Sequence, residues 1–382
     1  MNETVYYLWL NFIEDILTSK KCELLEHFGS AENVYKAEKS EYMVCDFLTD
    51  GNIKELEKKD LQRAEKELAA VQSLGIKLIK IGDSHYPPEL LNIPDPPVIL
   101  YAFGNTAMLK SRLMFCIVGS RKASDYGITS AAAVSTQLAE CGMTIVSGCA
   151  LGVDSAAHMG ALRAGGKTVG VAACGLNVDY PSGNHPLRED IIKSGVMISE
   201  FPLNTPPLAY NFPKRNRILS GMCLGTAVIE AGRKSGALLT ARHAYEQNRD
   251  VFALPGNITS RNSAGTNELI RDGAIPLLDA ETILSEYMTR YPELFAAEEN
   301  TEEDSDTYEN GENNVIAAAE LFDADASSEE KKILSALLSE PLGIDEIAVK
   351  TGIDASRLGA ILTMMQIKGK VRCLGENIYT RL

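Results

Sequence analysis

Three short segments of this chain combine glycine, hydroxyl and cationic side chains in the manner of an anion site. The first is Gly119-Ser120-Arg121-Lys122. A glycine has no Cβ to hold a ligand off the backbone, serine offers a hydroxyl, and arginine presents a planar fork of donors suited to phosphate oxygens. The second runs from Ser147 to His158; Gly148 and Gly152 bracket a turn, and Asp154 and His158 follow one helical turn apart. The third runs from Glu230 to Ala241, with Ser235 and Gly236 at a helix start and Thr240 one turn inside. Free N–H groups at such starts favour a bound anion. A fourth segment, Pro206 to Ile218, differs in kind. It sets Lys214, Arg215 and Arg217 beside Tyr210 and Phe212. Aromatic faces for bases among cations for phosphates are what single-stranded nucleic acid needs.

Each segment also has a plainer reading. A βα turn with a solvated arginine would give Gly119 to Lys122. Asp154 and His158 could act as paired catalytic groups, or Asp154 could orient its loop with His158 packed behind it. Phe212 and Ile218 could anchor a helix while one arginine pairs with Glu230, so one of Arg215 and Arg217 is expected to be structural and the other to face outward. No G-x-G-x-x-G, Walker A, H-E-x-x-H or G-x-S-x-G pattern occurs, and no clustered metal ligands. No cofactor or metal is implied. Several anion loops without a committed nucleophile, base or metal favour a surface for a polyanion over an active site.

The elements that must position these segments alternate strand and helix. Strands are expected at Phe115–Val118, Met143–Val146, Thr168–Ala172, Val196–Ile198, Thr226–Ile229, Asp250–Leu254 and Ala274–Leu277. They are continuously apolar, as in a parallel sheet covered on both faces. Residues 112–290 therefore read as a Rossmann-like, doubly wound, mostly parallel α/β domain, whose ligands bind beyond the carboxyl ends of the strands. Residues 1–80 read as a small helical domain of the sterile-alpha-motif or helix-hairpin-helix type, or as a helical packing module without its own ligand, with a longer helix over Leu56–Leu74. Residues 81–111 form a proline-rich connector that lays an edge strand, Val98–Tyr101, on the sheet. Residues 291–326 read as an acidic flexible linker. Residues 327–382 read as a winged helix: a capping box at Ser327 and Glu330, helices around Ile333–Leu338 and Asp345–Lys350, a third capped by Asp354 and carrying Arg357, and a hairpin turning at Gly375. That module could contact DNA or protein.

At 382 residues, 45% of them apolar, the chain should hold two or three domains. No apolar run is long enough for a membrane span, so a soluble cytoplasmic protein is expected. Eight cysteines without C-x-x-C spacing read as buried hydrophobes of a reducing compartment. The net charge of −15 argues against a nucleic-acid binder only until its distribution is considered. Residues 291–330 hold fourteen Asp and Glu and no Lys or Arg, leaving the rest near neutrality.

In order along the chain, Gly119-Ser-Arg, Ser147-Gly-x-Ala-x-Gly-x-Asp-x-x-Ala-His158, Phe212-Pro-x-Arg-Asn-Arg-Ile218, Glu230-Ala-x-x-x-Ser-Gly-x-Leu-x-Thr-Ala241 and Pro255-Gly256 closely resemble the bacterial DNA-processing protein A family (DprA, also called Smf). The resemblance covers 84 to about 285 strongly, and the flanking helices and winged helix fit its longer members. It implies an extended Rossmann fold without catalysis that binds single-stranded DNA, protects incoming DNA in natural transformation and loads the RecA recombinase as a homodimer. Arg121 would then take a phosphate and Phe212 stack on a base. The long acidic linker departs from the family pattern. The alternative is a nucleotide-hydrolysing phosphoribohydrolase of the lysine-decarboxylase-like type, whose P-G-G-x-G-T-x-x-E motif is absent. For the dimer, a short helix at Thr266–Asp272 leaves Leu269 and Ile270 incompletely buried, and Ile275 and Leu277 begin the last strand at an open edge. A two-fold contact would cover all four; otherwise the strip packs under the helix Ala280–Met288.

Overall fold

Phe115 and Ile117 point to one face of the central sheet, and Met114, Cys116 and Val118 to the other. All five are buried, so helices must cover both faces. The computed structural model describes residues 2–299 and, beyond them, 332–333, 336–337, 342–353, 358, 361–362, 365, 371–375 and 378–381. The chain divides into two compact units, Met1–Glu303 and Asp304–Leu382.

In the first unit nine strands form one sheet: β1 (Lys77–Lys80), β2 (Ile99–Gly104), β3 (Met114–Val118), β4 (Thr144–Ser147), β5 (Thr168–Val171), β6 (Val196–Ser199), β7 (Gly225–Val228), β8 (Asp250–Ala253) and β9 (Ile275–Pro276). Their order is β1-β2-β6-β5-β4-β3-β7-β8-β9. From β6 to β9 every pairing is parallel. The seven strands expected from apolar runs are those seven. The connector holds more order than its prolines suggest. β2 pairs antiparallel with β6, and β1, which falls within the residues 1–80 expected to be helical, pairs antiparallel with β2, so β2 is interior and β1 is the edge. Lys77 and Lys80 make β1 a short, charged strand that resists further pairing.

Helices α1 (Glu3–Phe12), α2 (Thr18–Phe28), α3 (Ala31–Lys36), α4 (Lys39–Tyr42), α5 (Asp50–Leu56) and α6 (Gln62–Ser73) precede the sheet. Gly29, at φ 78°, ends α2, and Ser30 caps α3 through the Asn33 N–H. The single helix expected over Leu56–Leu74 is broken, because Lys59 takes a positive φ between α5 and α6. α1 is apolar nearly all round, which a helix can be only when covered on every side. Leu8, Trp9, Leu24 and Leu56 share one core with Val98, Ile99, Tyr101 and Met197. The Glu67 carboxylate adds a link by accepting from the Leu203 N–H at 2.7 Å.

Between and after the parallel strands run α7 (Asp125–Glu140), α8 (Val153–Arg163), α9 (His185–Ser194), α10 (Asn211–Gly221), α11 (Ala237–Glu246), α12 (Ala264–Arg271), α13 (Glu281–Arg290) and α14 (Pro292–Glu299). The acidic linker expected from residue 291 thus opens with a helix, whose Leu294 and Phe295 pack on the core; residues 300–326 lie outside the described ones. So do Ser327, Glu330, Asp354 and Arg357. In the second unit, β10 (Leu342–Gly343) joins the hairpin of β11 (Val371–Gly375) and β12 (Ile378–Arg381), giving the expected wing a third strand. A helix Ile344–Thr351 ends at Gly352 in the left-handed region, and Ile333, Leu337, Ile347, Leu358 and Leu362 form the core. Among the described residues no helix is long and apolar enough to cross a membrane.

His158 of α8 is wholly buried against the sheet, with Nδ1 2.7 Å from Thr168 Oγ1 on β5. Burial pushes its pKa down to about 3 from 6.5, and the nearby Arg215 charge adds to the push. The unfolded chain therefore binds a proton that the folded chain refuses. Stability contributed by neutral His158 is complete above about 6.5 and is lost as the pH falls toward 3. His158→Gln should flatten the fall of Tm between pH 6.5 and about 4. Parallel Tm–pH curves for the two proteins would refute this role.

Candidate nucleic-acid interface

From β3 the chain winds outward through β4, β5 and β6; from β7 it winds the other way through β8 and β9. The loops after β3 and β7 therefore diverge, and a crevice of about 580 Å³ opens at that switch point. Val118 to Lys122, Ala150, Asp154, Phe212, Ser235 and Gly236 line it, so three of the four sequence segments meet the first one here.

Gly119 and Gly152 are needed for a reason other than ligand access. A Cβ on Gly119 would lie 2.7 Å from a Val153 methyl, and one on Gly152, at φ 82°, 2.3 Å from the Ser120 carbonyl. The loop after β3 interlocks with the start of α8, and the Val153 N–H donates to the Ser120 carbonyl at 3.2 Å. Ser120 Oγ accepts from the Lys122 N–H. This geometry leaves Arg121 and Lys122 exposed at the mouth. The Arg121 guanidinium lies over the Phe212 ring, 4.6 Å from its centroid, and donates to the Tyr180 hydroxyl at 3.5 Å. Tyr180 meets Phe212 edge-on at 5.8 Å. The sequence reading misses Tyr180, whose one signal is an aromatic–proline pair in the long loop after β5.

α10 starts at Asn211, so Pro213 occupies its third position rather than its first. The expectation that Arg215 or Arg217 faces outward is wrong for both. Arg215 is buried, donating through Nη1 to the carbonyls of Gly148 (2.8 Å) and Val171 and through Nε to Asn216 Oδ1 (3.2 Å). Arg217 is buried against Asp95 (3.0 Å) and Glu200. Arg215 sits three, four and seven residues before Ile218, Leu219 and Met222, all core residues, so helical spacing places it on the inward face. That signal is present in the sequence. Lys214 is exposed, but with Tyr210 it lines a second cleft, not this crevice.

Among the described residues Glu230 pairs with no arginine. Its carboxylate accepts from the Ser124 N–H (2.8 Å), the Ser124 hydroxyl (2.5 Å) and Asn262 Nδ2 (3.2 Å). Ser124 caps α7, so Glu230 ties the ends of β3 and β7 to the loop of Asn262, a lining residue that sequence reading also misses. Ser235 Oγ accepts from the Ala237 N–H, a Cβ on Gly236 would meet open space, and buried Thr240 lines the floor beside exposed Lys234.

Asp154 and His158 do not bond each other. The Asp154 carboxylate accepts from the Ala150 N–H at 3.3 Å. Burial raises its pKa above the usual carboxylate value, against the pull of Arg215 beside it. His158 faces Thr168 and Cys149. Asp154 thus orients its loop, with His158 packed behind. Among the described residues no group of His, Cys, Asp and Glu could hold a metal ion.

The strip expected to dimerise lies elsewhere. Leu269, Ile270 and Ile275 are half-buried, but Leu277 is wholly buried in the cluster that contains Ile283, Leu284 and Tyr287 of α13. Leu277 is therefore not interface material.

Residues 77–288 match the family described as DNA recombination-mediator protein A, and residues 317–377 match the DprA winged helix domain. The chain is 32% identical to Protein Smf of Synechocystis over 97% of its own length and 96% of that protein's. It is 42% identical to Protein Smf of Escherichia coli over 58% of its own length, spanning only 59% of that relative. The X-ray structure of DNA processing protein A from Streptococcus pneumoniae superposes with a TM-score of 0.64 at 33% identity, covering 75% of this chain and 98% of that one. A structure of DNA processing protein A from Helicobacter pylori, described for its single-stranded DNA binding mode, gives 0.52 at 29% identity over 56% of this chain and 97% of that one. Together with an extended, mostly parallel sheet preceded in the chain by N-terminal helices, these matches show that the chain belongs to the DNA recombination-mediator protein A family, whose members are called DprA or Smf.

Proposed function

We propose that this protein is a non-catalytic binder of single-stranded DNA that protects incoming strands in natural transformation and loads a RecA-type recombinase onto them, as a cytoplasmic homodimer. The observation that carries the reading is the Arg121–Phe212 pair at the mouth of the switch-point crevice. One side chain offers charge to a phosphate, the other an aromatic surface to a base, and the crevice behind them is lined by small and hydroxyl-bearing residues. The relatives' names, and the single-stranded DNA binding mode ascribed to the Helicobacter pylori protein, support the ligand class. The nucleotide-hydrolase alternative would need an acid–base pair facing the crevice, whereas His158 is buried behind Asp154. For the dimer, half-buried Leu269, Ile270 and Ile275 lie beside the outer edge of the sheet.

Arg121→Ala and Lys122→Ala should each weaken binding of single strands of any sequence. Removing one phosphate interaction should make the log–log salt dependence shallower by about 0.7. Anisotropy titrations over a salt series test this, and unchanged slopes in both variants would place the DNA elsewhere. Phe212→Ala should cost roughly 1–3 kcal/mol of affinity. Because Arg121 rests on that ring, the double variant Arg121→Ala/Phe212→Ala should weaken binding by less than the sum of the two single effects. Strict additivity would mean that the pair does not act as one unit. Ile270→Glu should yield a folded monomer in sedimentation that binds long strands less well, since one chain then offers one crevice rather than two. A variant that remains dimeric removes this strip from the interface.

A further inference from the structure

The residues before and after Phe212 turn away from the first crevice into another opening. Tyr210 and Lys214 line a cleft of about 440 Å³ between the N-terminal helices and the sheet, within the first unit. That volume is enough for a nucleotide. The first turn of α10 is the ridge that separates the two openings: Phe212 lines one, and Tyr210, Asn211 and Lys214 line the other.

The chemistry of the mouth of the crevice recurs in the cleft. Lys214 Nζ lies 5.6 Å from the centroid of Tyr210, whose side chain is 59% exposed. On the opposite wall the exposed Arg63 guanidinium lies 4.2 Å from the centroid of Phe12. Leu17, also exposed, adds apolar surface. Deeper in, Lys21 is buried, donates to the Asn11 carbonyl at 2.9 Å and has its pKa pulled down to about 8 by burial, against the attraction of Glu200. The acids of the cleft are largely spoken for. Asp95 and Glu200 pair with Arg217, whose buried Nη1 still lacks a partner among the described residues, and only Glu14 remains at the opening. Cations at the surface of the cleft thus outnumber unpaired acids, and each sits against an aromatic ring.

We propose that this cleft is a second nucleotide subsite for the same strand, which leaves the switch-point crevice, crosses the first turn of α10 and places a base on Tyr210 with its phosphates toward Lys214 and Arg63. This gives the N-terminal helices a direct share in DNA binding. The inference rests on the crevice being the first subsite. Tyr210 and Arg63 are exposed, so their replacement leaves the core intact.

The test is anisotropy of labelled oligothymidylates of about 4 and about 16 nucleotides, lengths that span the range of single-strand site sizes, on the full chain. Tyr210→Ala should weaken the longer strand about 5- to 150-fold, the effect of removing one stacked base, and Arg63→Glu should weaken it in the same direction. Neither should change binding of the shorter strand, which one crevice accommodates. Arg121→Ala should weaken both lengths. If Tyr210→Ala and Arg63→Glu leave the longer strand unaffected while Arg121→Ala weakens it, the second subsite is wrong and the crevice stands. Equal weakening of both lengths would also overturn the proposal, because Tyr210 would then be acting through α10 on the crevice itself. If Arg121→Ala binds both lengths as wild type does, the crevice reading falls and the track falls with it.

Discussion

The rim of the sheet depends on one buried cation. Arg215 reaches from α10 to the carbonyls of Gly148 after β4 and Val171 at the end of β5, and lies beside Asp154 at the start of α8. Burial works against its charge and lowers its pKa; Asp154 pulls the other way. Opposite charges so buried add little net stability relative to an apolar core, but removing Arg215 leaves two carbonyls unpaired and Asp154 without a neighbouring cation. Its effect is positional. A planar guanidinium can hold two carbonyls and a side-chain amide at fixed angles, which a lysine cannot. Four separate elements are thereby set relative to one another before any ligand arrives.

This arrangement explains why the exposed cations sit at the edge of the crevice and not in its floor. The buried charges that line it offset one another within the protein, Arg215 lying beside Asp154. Arg121, Lys122 and Lys234 project from loops that Glu230, Ser124 and Asn262 tie together. A phosphate bound there remains near solvent, where its interactions are screened by salt and indifferent to base identity. A deep, single-nucleotide active site would need the reverse, with free charge below and a closed mouth above.

Much of this is legible in the sequence, and the failures are specific. Apolar runs locate the seven parallel strands because a strand covered on both faces has no polar position to confuse the pattern. The helix stops at Gly29 and Gly352 and the cap at Ser30 are equally local signals. What sequence reading misses is decided by distant parts of the chain. β1 falls at the end of the residues read as helical, where it is missed because it is half-exposed, with a lysine at each end. Tyr180 and Asn262 reach the crevice only through long loops, so no local spacing marks them. Arg215 is a different failure. Its place on the apolar face of α10 can be read from Ile218, Leu219 and Met222, but three cations in four residues draw the eye to their charge and not to their phase on the helix.

The two ends of the sheet bear on how copies of the chain can associate. β1 carries Lys77 and Lys80, and β9 is two residues long and includes Pro276, which cannot donate to a neighbouring strand. Both edges are therefore poor templates for strand addition, the route by which exposed sheets pair indiscriminately. Association at the β9 end must rely on side chains, and those on offer are Leu269, Ile270 and Ile275, each already half-covered by its own subunit. With Leu277 withdrawn under α13, the apolar strip is narrower than the sequence suggests. An interface built on such a strip needs the polar residues around it to match as well. Arg271, Asp272 and Glu268 border it with both signs of charge, and a two-fold axis can set opposite charges against each other across it. The same charges would oppose most other pairings, so an interface at this edge would take its specificity from the border and its affinity from the strip.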